Sequence, residues 1–235
     1  MCTAPAGSYI FGGTFMHRRN KYLRLAALLL VTATAFALLS GCVVIGDRNP
    51  IATIKFSNGG EVRIRLYPDK APNTVNNFIE LANSGFYDGS PVHRIVEYVL
   101  VQMGMPANSE ETDAGYYIKG EFAENGFAKN DMIINEGIVG MARLAKDSNS
   151  DEEYFDTASS QFFIMLEPKI TMDGYYACFG KVITGMDVIT KISKMDVDAN
   201  EYPRDEIYIV SLRVDCYDYK PSSPKTISKD KVNLY

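Results

Sequence analysis

Few side chains in this 235-residue chain can do covalent or metal chemistry. There are two histidines, His17 and His93, four cysteines, Cys2, Cys42, Cys178 and Cys216, and no tryptophan. So small a stock of imidazole and thiolate argues against a multi-ligand zinc site. Neither Cys178 nor Cys216 has a C-x-x-C context. They read as buried free thiols, able to pair only if their strands bring the Cα atoms within about 7 Å. The acidic run from Asp147 to Asp156 lacks the Asp-x-Asp-x-Asp-Gly frame of a calcium loop. A net charge of −5 makes general nucleic-acid binding a poor expectation. His93 is followed directly by Arg94. A guanidinium is always charged and presents directed donors. Alone, Arg94 reads as a surface arginine in an ion pair, and Leu100 and Ala142 read as ordinary alternating strand residues.

The elements that must position these residues begin after a leader. His17 to Arg24 is basic, Leu25 to Leu39 carries no charge, and Leu39-Ser40-Gly41-Cys42 follows. A basic segment, an apolar segment and a small-residue site describe a secretory signal. The ending resembles a bacterial lipobox, in which the cysteine is lipidated and becomes the first mature residue. Residues 1–41 are therefore expected to be a signal peptide, with Met16 the true start and residues 1–15 a misassigned one. A spanning helix over residues 25–45 is the alternative. Removing residues 1–41, which hold four basic side chains and no acid, leaves 194 residues with net charge −9. Residues 42–50 form a tether, and Val43 to Pro50 reaches at most about 26–29 Å. A diacylated Cys42 would suffice to anchor it. The expected location is extracytoplasmic, lipid-anchored to a bacterial cell membrane.

One domain is expected over residues 51–216. Ile51–Phe56 and Val62–Tyr67 alternate apolar and polar residues around Asn58-Gly59-Gly60, the pattern of a β-hairpin. Pro72 fits a helix first turn; Val75, Phe78, Ile79 and Ala82 keep helical spacing, and Gly85 can end it. Further strands are expected at Tyr98–Met103, Ile138–Ala142, Gln161–Met165, Tyr176–Val182 and Ile207–Val214, with a second helix at Met186–Lys194. Such a pattern predicts a mainly β fold, a closed antiparallel barrel capped by two helices. Residues 217–235 are polar, with two prolines and four lysines, and read as a flexible tail.

Six segments in order carry a resemblance to the cyclophilins, the prolyl cis–trans isomerases. They are Tyr67 to Phe78, Ser84 to Gly89 with Val92-His93-Arg94-Ile95, Gln102, Gly137 to Ala142, Ser159 to Ile164, and Asp173-Gly174 with Phe179 to Val182. The resemblance implies an eight-stranded antiparallel barrel with two capping helices and a substrate groove outside one sheet. It implies that Arg94 is catalytic, donating to the prolyl nitrogen as the amide twists, with no metal or cofactor. His93 is expected to shape the groove, and Gln102 to hold the substrate backbone. Phe163 and Leu100 would wall a proline pocket, while Ala142, Arg143 and Gln161 would receive the residues before proline.

Departures from the family pattern surround that arginine. Val99 stands where a phenylalanine is usual, Thr171 where many members have a large rim residue, and Tyr176 where many have a histidine. Met103-Gly104-Met105 replaces the usual Gly-Gly-Asp. Leu100, Met172 or Tyr176 could fill the gap beside Val99. The expected activity is a weak or selective isomerase acting on proline-containing segments of exported polypeptides, as a monomer. A proline-peptide-binding chaperone module, or a transport-associated scaffold, stays open. The insertion at residues 147–156 is read either as a solvated loop or as an acidic overhang favouring basic clients.

Overall fold

The computed structural model describes residues 49–107, 110–144 and 154–232. The leader, Cys42 and most of the acidic insertion lie outside the described residues. Strands β1 (Ile51–Phe56) and β2 (Glu61–Leu66) form the expected hairpin. Its turn is closed by Gly60 N donating to Asn58 Oδ1 at 2.9 Å, with Gly59 at φ 81°. Alternation sends Ala52, Ile54 and Phe56, and Val62, Ile64 and Leu66, to one buried face.

Helix α1 (Pro72–Asn83) follows, with proline in its first turn and Gly85 at φ 83° beyond its end. Its residue before Pro72, Ala71, offers no side-chain cap. The buried carboxylate of Glu121 does so instead, accepting from Asn73 N at 3.0 Å, Thr74 N at 2.8 Å and Thr74 Oγ1 at 2.8 Å. A carboxylate there satisfies orphan amides and opposes the helix dipole.

The remaining elements are β3 (Val92–Val96), β4 (Leu100–Met103), β5 (Tyr117–Ile118), β6 (Ile138–Met141), β7 (Phe162–Met165), β8 (Cys178–Thr184), α2 (Met186–Ile192), β9 (Ile209–Asp215) and β10 (Thr226–Ile227). Eight strands form one antiparallel sheet in the order β3-β4-β7-β6-β8-β2-β1-β9. The fold is mainly β with two helices, as expected, but the sheet is an open half-barrel rather than a closed one. Its edges β3 and β9 share no ladder. They approach through a single bridge, Pro91 to Tyr208, and hydrogen bonds such as Val92 N to Ile207 O at 2.9 Å. The chain enters β3 directly after Pro91.

The inner face packs against α1 and α2. Phe78 of α1 meets Tyr87, Phe162 and Phe179 with ring centroids 5.0–5.6 Å apart. Helix α2 buries Ile189 and Ile192 and stops two residues before the expected end. Cys178 and Cys216 are both free. Cys178 faces the outer cluster and Cys216 packs on the inner one. Burial pushes the Cys178 thiol up to about 12.

The described part of the expected tail is docked rather than loose. β10 pairs with β5. Asn76 accepts from Tyr219 Oη at 2.8 Å and donates to Ser222 Oγ at 2.9 Å. Asn73 exchanges hydrogen bonds with the main chain of Lys225 at 2.7 and 3.0 Å. The asparagines of α1, polar enough to suggest a solvated face, supply those partners.

Candidate functional site

The outer face of the same sheet carries the site. Period-2 alternation turns Leu100 and Gln102 of β4 and Phe163 and Met165 of β7 away from the inner core. The antiparallel register then sets Arg94 opposite Gln102, Gln102 opposite Phe163, and Phe163 opposite Gly140. Six residues form a second buried cluster here: Leu100, Ile134, Ile138, Phe163, Met165 and Cys178. Val99, Ala142, Met172 and Tyr176 pack around it, partly buried.

Phe163 sits where it does because position 140 has no side chain. A Cβ there would lie 2.4 Å from Phe163 Cζ. Tyr176 closes the other side, edge-on at 5.4 Å. The tight link between β3 and β4 turns through Tyr98 at φ 59°, with Val99 N donating to Val96 O at 2.9 Å.

Beside this apolar cluster runs a directed chain of polar groups. Arg94 Nη1 donates to Gln102 Oε1 at 3.4 Å, and Gln102 Nε2 to Gln161 Oε1 at 2.9 Å. Gln161 Nε2 donates to the main-chain oxygen of Thr112 at 2.7 Å. A guanidinium only donates and a carbonyl only accepts, so both amide orientations are determined. Gln161 Oε1 also lies 3.0 Å from His93 Nε2, which must therefore be the donor. His93 is 6% exposed. Burial lowers its pKa first and the Arg94 charge adds to this, against the hydrogen bond to Gln161. A neutral imidazole spends its one proton on Gln161.

Arg94 has a second partner that no spacing announced: its Nε donates to Glu201 Oε2 at 2.6 Å. The two side chains are 42% and 41% exposed. Gly140 and the Thr112 carbonyl also escaped the sequence reading. Composition marks none of the three, because each matters only through a contact made across the sheet or between loops.

Arg143 and Thr171 have settings of their own. Arg143 is held in an aromatic cage, its guanidinium 5.0 Å from the Tyr176 ring centre, 5.1 Å from Phe155 and 5.8 Å from Phe122. Its Nε donates to Tyr175 O at 3.1 Å. From there it lines a small pocket of about 70 Å³ together with Gln102, Thr112, Ala142 and Gln161. Thr171 is exposed in a short 3₁₀ turn, and its neighbour Met172 makes the apolar contact. Asp156, the described end of the acidic run, turns toward Gly120 N and Asn125 Nδ2.

Residues 51–214 match the family model described as cyclophilin type peptidyl-prolyl cis-trans isomerase. The chain belongs to this family of enzymes. It is 36% identical over 140 residues to Peptidyl-prolyl cis-trans isomerase B of Bacillus subtilis, covering 60% of this chain and 88% of that one. It is 31% identical over 158 residues to Peptidyl-prolyl cis-trans isomerase cyp15 of Rhizopus delemar, covering 67% of this chain but only 23% of that relative's length. A solved Cryptosporidium parvum cyclophilin type isomerase, crystallised in the presence of the dipeptide Ala-Pro, superposes with TM-score 0.58. At 24% identity, over 70% of this chain and 98% of that one, it speaks to the fold alone. In this cyclophilin the arginine and the two glutamines run beside the outer apolar cluster.

Proposed function

We propose that this cyclophilin isomerises X–Pro bonds in the hollow beside Arg94, and that Arg94 is the catalytic residue. The observation that carries the reading is the chain Arg94–Gln102–Gln161 running along the edge of the Phe163–Leu100 cluster. Planar amides resist rotation by about 18–20 kcal/mol because the nitrogen lone pair is conjugated. Twisting returns that lone pair to the prolyl nitrogen. A fixed cationic donor then gains a hydrogen bond that neither planar isomer offers, which is the condition for lowering the barrier. Each ~1.36 kcal/mol so gained is tenfold in rate.

The proline ring lies on Phe163 and Leu100, with Val99, Met172 and Tyr176 at its edges. Gln102 and Gln161 hold the substrate backbone, and residues before proline run toward Ala142. No proton changes hands, so His93 serves by bracing Gln161. Purified full-length protein carrying Arg94→Ala should isomerise a proline peptide at least ~tenfold more slowly, with an unchanged thermal midpoint. Equal rates for the two proteins would end this reading.

The small Val99 and exposed Thr171 favour a second reading, a module that binds proline segments with little turnover. Peptide binding retained by a wild type that is no faster than Arg94→Ala would select it.

The clients on this proposal are exported polypeptides met at the membrane surface, with the domain held there by lipidated Cys42. The leader pattern ending in Leu39-Ser40-Gly41-Cys42 supports it. Cys42→Ser should move the protein from the membrane to the soluble fraction; retention would point to a spanning segment.

A further inference from the structure

We propose that Glu201 is the positioning residue of Arg94, fixing the plane of its guanidinium so that the remaining N–H groups serve the substrate. This deepens the reading of Arg94 as catalytic and rests on it.

The loop that carries Glu201, between α2 and β9, is built with care. Asp198 Oδ1 accepts from Asn200 N at 2.8 Å and Tyr202 N at 3.0 Å, and Asp198 N donates to Tyr202 O at 2.8 Å. Val197 bridges Pro203, and Arg204 N donates to Asp196 O at 2.8 Å. At its tip Glu201 takes φ 66°, a left-handed conformation that a side-chain-bearing residue adopts rarely. The Glu201 carbonyl accepts from Ile95 N of β3 at 2.8 Å. The loop is thereby tied by its backbone to the residue next to Arg94, whatever side chain stands at 201.

An ion pair as exposed as this one adds little to stability. Its consequence is geometric. Arginine has several rotatable bonds, and the 3.4 Å contact from Nη1 to Gln102 is too long to hold it alone. The 2.6 Å bond at Nε pins the guanidinium at a second point, on its other edge. With the covalent bond to Cδ, these two anchors fix the plane. Nη2, with no partner among the described residues, is left to point a donor at the prolyl nitrogen. A group misplaced by as little as an ångström can forfeit much of its catalytic effect.

The test is steady-state isomerisation by the full-length protein carrying Glu201→Ala, Glu201→Gln, Arg94→Ala, and Glu201→Ala with Arg94→Ala. Glu201→Ala should lower kcat about fivefold and leave KM within about twofold. Glu201→Gln should recover most of the loss, because its carboxamide oxygen can still accept from Nε. In the Arg94→Ala background Glu201→Ala should change nothing further. An unaltered kcat in Glu201→Ala, a Glu201→Gln as slow as Glu201→Ala, or an equal loss in the Arg94→Ala background would each overturn the proposal. Failure of the underlying reading shows separately, as full activity in Arg94→Ala alone.

Discussion

Phe162 and Phe163 are neighbours in β7, yet the pleat gives them to different jobs. Phe162 is fully buried on the inner face, edge-on to Phe78 at 5.2 Å and to Tyr87 at 5.6 Å. Phe163 is 2% exposed on the outer face, edge-on to one ring, Tyr176, and lying over a glycine. The inner cluster is closed over by two helices, whereas the outer one ends in the partly buried Val99, Ala142, Met172 and Tyr176. The same residue type at consecutive positions thus belongs to the inner core in one case and to the outer apolar cluster in the other. Burial alone does not separate the two roles; what covers the ring does.

Alanine at each position gives the sharpest separation. Phe162→Ala should cost about 3–5 kcal/mol of stability, because its cavity is enclosed and only partly collapses. Phe163→Ala should cost about 1–3 kcal/mol, since the space it leaves opens toward water. Activity should run the other way, with Phe163→Ala at least ~tenfold down in kcat/KM through lost contact with the proline ring. Urea unfolding and peptide isomerisation on both variants decide it. If folded Phe162→Ala loses as much activity as Phe163→Ala, the two faces are not separable in this way.

Gly140→Ala probes the outer face with a smaller change. The added methyl would meet the Phe163 ring at 2.4 Å, and the ring must swing toward the hollow. Expected are a stability loss of about 1–3 kcal/mol from overpacking and a several-fold lower kcat/KM. Adding Phe163→Leu should relieve the stability loss, because the two positions share one space. A Gly140→Ala protein with both quantities unchanged would mean that Phe163 does not lie over this glycine.

Much of the inner face was readable in advance. Alternation at Ala52, Ile54 and Phe56, and helical spacing at Val75, Phe78, Ile79 and Ala82, are local properties, and they became the elements expected of them. The site was legible only through resemblance, and only for side chains that belong to a motif, such as Arg94, Gln102 and Phe163. Glu201 sits 107 residues from Arg94 in sequence, in a loop whose composition shows nothing but turn residues and charge. The docked tail escaped for the same reason. Asn73 and Asn76 look like solvent-facing helix positions until the chain returns to bond them. Closure of the barrel was a topological expectation, and β3 and β9 meet through the one bridge of Pro91 with Tyr208 rather than through a ladder.

The smallest expected effect concerns His93, which touches the polar chain of the outer face but is buried like a core residue. Its pKa lies below the ordinary 6.5, chiefly because burial disfavours the charged ring. Below pH 6.5 the unfolded chain therefore takes up a proton that the folded protein refuses. Stability is full above that pH and falls as the pH drops from 6.5 toward the lower folded value. Asp88 and Asp131, lowered from 3.8 by their partners Arg213 and Lys70, act only at more acid pH. The urea midpoint of the wild type should thus decline as the pH falls below 6.5, and that of His93→Asn should decline less. A protonated imidazole still donates from Nε2 to Gln161, so the amide orientations that serve Arg94 survive. kcat should accordingly stay level while the midpoint falls. A parallel decline of both, absent in His93→Asn, would place His93 with the catalytic groups of the outer face rather than with the core.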